Sequence, residues 1–348
     1  MVKEISKNFI FKLLLFVLFL LFSLIIIEKL IPNYIKGSGE IWRFSGIYQL
    51  DSELIYALKK NVNRLKKYND GFDNFNEYVT TNSLGLRDSE LKAKDKFIKR
   101  IVILGDSMTF GHSVNNYEAF PNQLGKVFSE NSINVDVINA GVKGYGTDQL
   151  YKLFKKRLLN LNTDILVLVI YKNDKWDNII LPLYTIEKEE LRDLDARKNW
   201  LYIMGTIEKN TPSIIRKTNI YKFFLSLLES RDLFFLLPDY DTEGLLEWSK
   251  QKVYLQIKDL KNLGTENNFE LIVLAMPFKN GSADEYEWLY RLPELGVNFI
   301  DPSKNEIWRE RRSELFFRKD YHLTRKGSRQ LAEMFYEYLK DFEQGSIN

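Results

Sequence analysis

The chain has no cysteine and only two histidines, His112 and His322, among 348 residues. The first absence excludes a disulfide framework, a thiolate zinc site and a lipidated cysteine. The second leaves too few imidazoles for a histidine-rich metal site, so no metal and no cofactor are expected. Charge of one sign is lacking too: Lys+Arg 50 against Asp+Glu 47 leaves +3, and no nucleic-acid partner is expected. The basic runs at 59–67 and 309–319 read as solvated helix faces. No alanine occurs before Ala57, so the apolar stretch FIFKLLLFVLFLLFSLIII at 9–27 has no small-residue exit of the kind a cleaved signal needs. At ~1.5 Å per residue it nearly spans a ~30 Å hydrocarbon core, with Lys12 free to snorkel, which predicts an uncleaved membrane anchor. Lys3, Lys7 and Lys12 at its N-terminal side and Lys29, Lys36 and Arg43 after it set no orientation.

What is present organises the rest of the chain. Residues 1–32 form a cytoplasmic tip and anchor. Residues 33–98 read as a stalk or N-terminal extension, with KGSGE at 36–40 flexible and a short helix near 52–67. From residue 99 to 342, short apolar β-branched runs alternate with amphipathic segments: RIVILG, NVDVINAG, DILVLVIY, FELIVLAMP and VNFIDP. Unbroken runs of this length suit strands buried on both faces, so the fold class is α/β, a three-layer doubly wound parallel sheet of about five strands. Helices are expected at 118–129, at 148–159, at 242–263 with Thr242 as N-cap and Gly264 as stop, and at 326–342. An aromatic-rich helical insertion at about 176–240 interrupts the alternation, either as a cap closing the core or as a lid over a substrate.

Four segments leaving these strands carry side chains with chemistry. In GDSMTFGHS, Ser107 follows a strand, where parallel sheets collect reactive groups, yet Asp106 and Ser107 could equally cap a helix. NAGVKGYG brings glycines 141, 144 and 146, whose bare backbone can approach a ligand or simply turn; GxxGxG is not the dinucleotide order. YKND offers the Asn173 amide as an oxyanion donor or an ordinary turn. DYHLTRKG supplies His322 with Asp320 two residues before it, able to fix the imidazole tautomer. Thr109 stands where the second glycine of a G-x-S-x-G elbow would be, and there is no G-K-[ST] phosphate loop.

Together and in this order, the four segments resemble the blocks of the SGNH (GDSL-like) hydrolases over about residues 82–339. TNSLGLRDSEL is similar to the Asn-x-x-Gly-x-Arg lead-in of a membrane-anchored or exported bacterial branch. The resemblance implies Ser107 as nucleophile, His322 as base and Asp320 as its orienting partner. It implies an oxyanion hole of the Ser107 N–H, the Gly144 N–H and the Asn173 side chain. Gly144 is chosen because the family's glycine lies five residues after the Asn of the second block, here Asn139. Much of the family has Asp three residues before the His, where this chain has Lys319; Asp320 matches the Asp-x-His form of polysaccharide-acetylating relatives. Asp106 is then a structural hydrogen-bonding residue and His112 a bystander.

The implied activity is a serine esterase acting through an acyl-enzyme on O-acetyl groups of a cell-envelope glycan, with the catalytic body outside the membrane. Alternatives are an O-acyltransferase to a polysaccharide, a non-catalytic glycan-binding or assembly protein of the same fold, and a lipid-directed esterase with Phe223, Phe224, Phe234 and Phe235 as an acyl pocket or, equally, as core.

Overall fold

Ile101, Val102, Ile103 and Leu104 are each at most 1% exposed, as a strand covered on both faces requires. They belong to β5 in the computed structural model, which describes residues 7–30, 46–69, 74–223, 241–280 and 283–345. The remaining strands of its sheet are β6 (Val135–Gly141), β7 (Ile165–Ile170), β10 (Glu270–Ala275) and β11 (Asn298–Ile300), and β5 itself is Lys99–Gly105. The order is β11-β10-β7-β5-β6 with every pair parallel, so the five expected runs are the five strands of a doubly wound sheet.

Strand side chains alternate between faces, and the core divides accordingly. Ile101, Ile103, Val167, Val169, Ile272 and Leu274 pack against α3 (Phe120–Glu130) and α9 (Arg325–Gly345). On the opposite face lie α4 (Thr147–Leu153), α5 (Asp174–Ile180) and α8 (Thr242–Asn267), the last contributing buried Val253, Ile257 and Leu260. Each such fully buried aliphatic side chain is worth roughly 1.5–3 kcal/mol.

Several local expectations need correction. The segment near 52–67 is not helical: Tyr48–Asp51 (β1) pairs with Ile55–Leu58 (β2), and Asn63–Asn69 (β3) with Asn74–Thr80 (β4), both antiparallel. Its β-branched and aromatic side chains find cross-strand partners, and the basic run at 59–67 decorates a hairpin rather than a helix face. Asp241, not Thr242, caps α8, its Oδ1 accepting the Gly244 N–H at 2.8 Å. Gly264 does not stop α8, which runs to Asn267 and ends on Asn268 at φ 57°. The insertion begins with a further hairpin, Tyr184–Glu187 (β8) and Glu190–Asp193 (β9), before the helices α6 (Trp200–Asn210) and α7 (Ser213–Arg216).

The contacts divide the chain into two units, Ile47–Tyr202 with Asp241–Asn348, and Met1–Gly46 with Ile203–Tyr240. In the second unit α1 (Lys7–Leu30) is long and apolar enough to cross a membrane, and Phe16 and Phe19 on it are 61% and 69% exposed. Near its end Glu28 accepts the backbone N–H of Ile220 at 2.9 Å and also that of Asn219. KGSGE, Phe224, Phe234 and Phe235 lie outside the described residues.

Candidate active site

Parallel strands all end at one edge of the sheet, and in the order β6-β5-β7 the connections diverge on either side of β5. Ser107 stands at that divergence, opening the single helical turn α2 (Ser107–Phe110). Glycine at 105 and 141 lets this turn sit directly on the ends of β5 and β6: a Cβ at Gly105 would run into the Thr109 side chain, and one at Gly141 into the Phe110 N–H. Thr109, which removes the G-x-S-x-G pattern, is thus the residue packed over Gly105. Asp106 does cap the turn, its Oδ1 accepting the Met108 N–H at 2.9 Å, while its other oxygen lies 3.4 Å from Ser107 Oγ. The cap falls on Asp106 and leaves the Ser107 hydroxyl for another partner.

That partner comes from the far end of the chain. Ser107 Oγ is 2.8 Å from His322 Nε2. His322 Nδ1 lies 3.1 Å from Asp320 Oδ1 and 3.0 Å from the Asp320 carbonyl oxygen, so its N–H donates to the same residue twice over. Tyr321 between them has φ 61°, a left-handed conformation that a bulky residue adopts at a cost. Burial alone would raise the Asp320 pKa, but hydrogen bonds from His322 and Ser113 and the nearby imidazole charges outweigh it and hold the carboxylate below its ordinary range.

Gly144 follows β6 in a tight turn at φ 76°, which a side-chain-bearing residue would resist. Asn173 follows β7, its amide nitrogen donating to Asp177 and its Oδ1 buried without a partner among the described residues. Exchanging its oxygen and nitrogen would face an amide oxygen to a carboxylate, so the amide nitrogen is turned to Asp177, and it also hydrogen-bonds the Asp106 carboxylate. Beneath the site Asp106 and Asp174 are both enclosed, and burial pushes both carboxyls up.

The structure brings together one residue that the sequence set aside. His112 packs edge-on against His322, ring centroids 4.7 Å apart, so it is no bystander. Its Nδ1 lies 3.2 Å from Glu77 Oε1 on β4 and its Nε2 3.3 Å from Lys143 Nζ, in the loop that carries Gly144. These partners fix the tautomer: Nδ1–H donates to Glu77, and Nε2 accepts from the ammonium. Burial lowers the His112 pKa, and Lys143 and His322 lower it further against the pull of Glu77. Burial would raise Glu77, but His112, Arg87 and Lys143 bring it down to about 2.

Next in sequence Ser113, at φ 74°, donates its hydroxyl to Asp320 Oδ2. Donor atoms of His112, Asp320 and His322 lie within 4.8 Å of one another, a spacing that could gather a metal ion. The ammonium of Lys143 on His112 and the hydroxyl on His322 Nε2 already occupy two of those nitrogens, and a second cation would meet the first.

The GHS loop is itself held from outside the sheet. Arg87, 0% exposed, donates to the carbonyl oxygens of Phe110 and Val114, each at 2.6 Å, and of Gly111, and to Asn116 Oδ1 at 2.9 Å. Burial lowers its pKa to about 10, still charged at neutral pH. Asn82 shapes the approach by accepting the N–H groups of Leu84 and Leu86, both at 3.0 Å, and Asp88 Oδ2 accepts the Asn139 N–H at 2.9 Å. The lead-in motif therefore braces both loops of the site. Ser113, Lys143 and Glu77 carry no spacing signal, because each meets its partner only through the fold.

No protein-family model and no curated protein matches the chain. Among solved structures, it is similar to a family 3 carbohydrate esterase of Clostridium thermocellum (13% identity, 72% of this chain and 100% of that one, TM-score 0.41). It is also similar to an acetylxylan esterase of Geobacillus stearothermophilus (12%, 71% and 95%, TM-score 0.41) and to a lipase/acylhydrolase of Enterococcus faecalis (14%, 70% and 96%, TM-score 0.39). Likeness this distant says nothing of the chemistry here, which rests on the distances above.

Proposed function

We propose that the protein is a serine esterase that works through an acyl-enzyme. The observation that carries this reading is the chain of contacts from Ser107 Oγ through His322 Nε2 and Nδ1 to Asp320, at 2.8 and 3.1 Å. A serine hydroxyl is a weak nucleophile until a base takes its proton, and an imidazole whose other nitrogen is bound to a carboxylate is that base. His322 removes the proton as Ser107 Oγ attacks the ester carbonyl. The tetrahedral oxyanion is met by the Ser107 N–H, which as the first of a helical turn has no intrahelical partner, by the Gly144 N–H and by the Asn173 amide N–H. His322 then gives its proton to the leaving alcohol, and water, activated in the same way, releases the acid and restores Ser107. The same acyl-enzyme attacked by a sugar hydroxyl would give transfer instead.

The substrate class in this reading is an O-acetyl group on a cell-envelope glycan, which the motif resemblance to exported glycan-directed relatives supports. The apolar helix α1 is its membrane anchor, with the catalytic body on the outer side. Full-length protein in detergent should hydrolyse an aryl acetate and release acetate from O-acetylated envelope polysaccharide, followed by NMR. Equal aryl-acetate rates for the wild type and Ser107→Ala would sink the serine mechanism.

A further inference from the structure

A second concavity lies apart from the serine, within the same unit. It measures about 840 Å³, inside the ~300–1,000 Å³ range of small-molecule sites. One wall is the first half of α8, the other the turn Ala283–Leu289, and Glu189 at the tip of the β8–β9 hairpin closes one side. Both walls are fastened to one residue: Ser249 Oγ donates to the Lys175 carbonyl oxygen at 2.8 Å, and Lys175 Nζ pairs with Glu285 at 2.6 Å. Lys175 is two residues beyond Asn173. The cleft is therefore built on the same short helix whose start carries the proposed oxyanion amide.

The lining selects a ligand by elimination. Trp248, Tyr254 and Trp288 are half-buried in it. Two of these rings carry a cation on one face: the Lys252 ammonium, wholly buried against Asp148, lies 4.3 Å over Trp248, and the Arg291 guanidinium lies 4.0 Å over Tyr254. Since Lys252 is buried, the Trp248 face it covers is the inner one. Around the rings, Glu189, Glu247 and Glu287 are balanced by Lys250, Lys258 and Arg291. An aliphatic chain seated here would strip water from those charges without satisfying them. An anion or a cation would find no net field to draw it in. A neutral ligand with flat C–H faces and a ring of hydroxyls satisfies both halves, stacking on the aromatic planes while its hydroxyls bond carboxylates, guanidinium and amide.

We propose that this cleft binds a neutral pyranose segment of a glycan chain, holding the polymer beside the ester at Ser107. The proposal deepens the esterase reading and rests on it for the identity of the polymer. Its test is direct binding of xylohexaose, mannohexaose and N-acetylchitohexaose to the full chain in a sugar-free detergent, by calorimetry and saturation-transfer NMR. At least one should bind, with ring protons saturated through tryptophan, and Trp288→Ala should weaken it roughly tenfold. Glu247→Gln, an exposed and conservative change, should weaken it several-fold and carries the test if Trp288→Ala melts early.

Failure of all three sugars to bind, unchanged affinity in both variants, or preference for an oligogalacturonate would each overturn the proposal. Failure of the esterase reading is separate: a wild type inert toward aryl acetate that still binds a hexaose through Trp288 would retain the cleft and discard the serine chemistry.

Discussion

Two imidazole–carboxylate pairs face each other across 4.7 Å, and they differ in what the outer nitrogen meets. His322 leans its Nδ1 on Asp320 and offers Nε2 to the Ser107 hydroxyl, with 19% of its side chain exposed. His112 leans its Nδ1 on Glu77 and offers Nε2 to the Lys143 ammonium, with 9% exposed. A hydroxyl can give up its proton to a base; an ammonium already holds the lone pair of its neighbour and brings a charge that resists further protonation. In the proposed mechanism the same pair of side chains thus serves as a base in one case and as a neutral brace in the other. Ser113 connects the two, because it follows His112 in sequence and donates to Asp320.

The comparison breaks first at the base. His322→Ala should cut aryl-acetate turnover by about 10⁴-fold or more, measured with the Ser107→Ala background subtracted. Asp320→Asn, which keeps shape but supports the wrong tautomer, should cost about 10⁴-fold in kcat. Asn173→Ala should cost about 10²- to 10³-fold, and unchanged turnover would remove that amide from the oxyanion hole. His112→Ala should cost at most about tenfold in turnover but about 1–3 kcal/mol in stability, since buried Glu77 loses its side-chain donor and keeps only the long contact from the Ser113 N–H; urea titration reads the second number. The reverse ranking of the two histidines would exchange their roles.

The smallest effect is one of pH. The folded state holds Asp320 below 3.8, the value of the free carboxyl, so its contribution to stability is present above pH 3.8 and is lost as pH falls further. Ser113→Ala removes one donor to the charged form and brings the folded pKa closer to the unfolded one. The loss of melting temperature in Ser113→Ala should therefore be present at pH 7 and shrink below pH 3.8, and a constant difference would place Ser113 outside the carboxylate's titration.

The fold was legible where one local signal sufficed. Five apolar runs bounded by glycine or acidic residues could hardly pack except as a covered parallel sheet, and all five are strands. Ser107, Gly144, Asn173, Asp320 and His322 were legible as an ordered set after successive strands. The hairpins β1–β2 and β3–β4 were not, because what makes them strands is pairing across a turn, while their lysines and asparagines suggest solvated helix. The surroundings of His112 were illegible for a related reason. Its meaning depends on Glu77, 35 residues earlier, and Lys143, 31 residues later, and neither separation has a periodicity to betray it.

Arg87, which clamps the carbonyl oxygens beside Ser107, also has a place in time. A ribosome delivers the chain from its N-terminus, so the clamp emerges before the loop it holds, whereas His322 follows the serine by 215 residues. For most of synthesis the proposed nucleophile can be shaped but lacks its proposed base. On the proposed mechanism an incomplete chain therefore holds its nucleophile without its base, and catalysis waits for the segment that leads into the last helix.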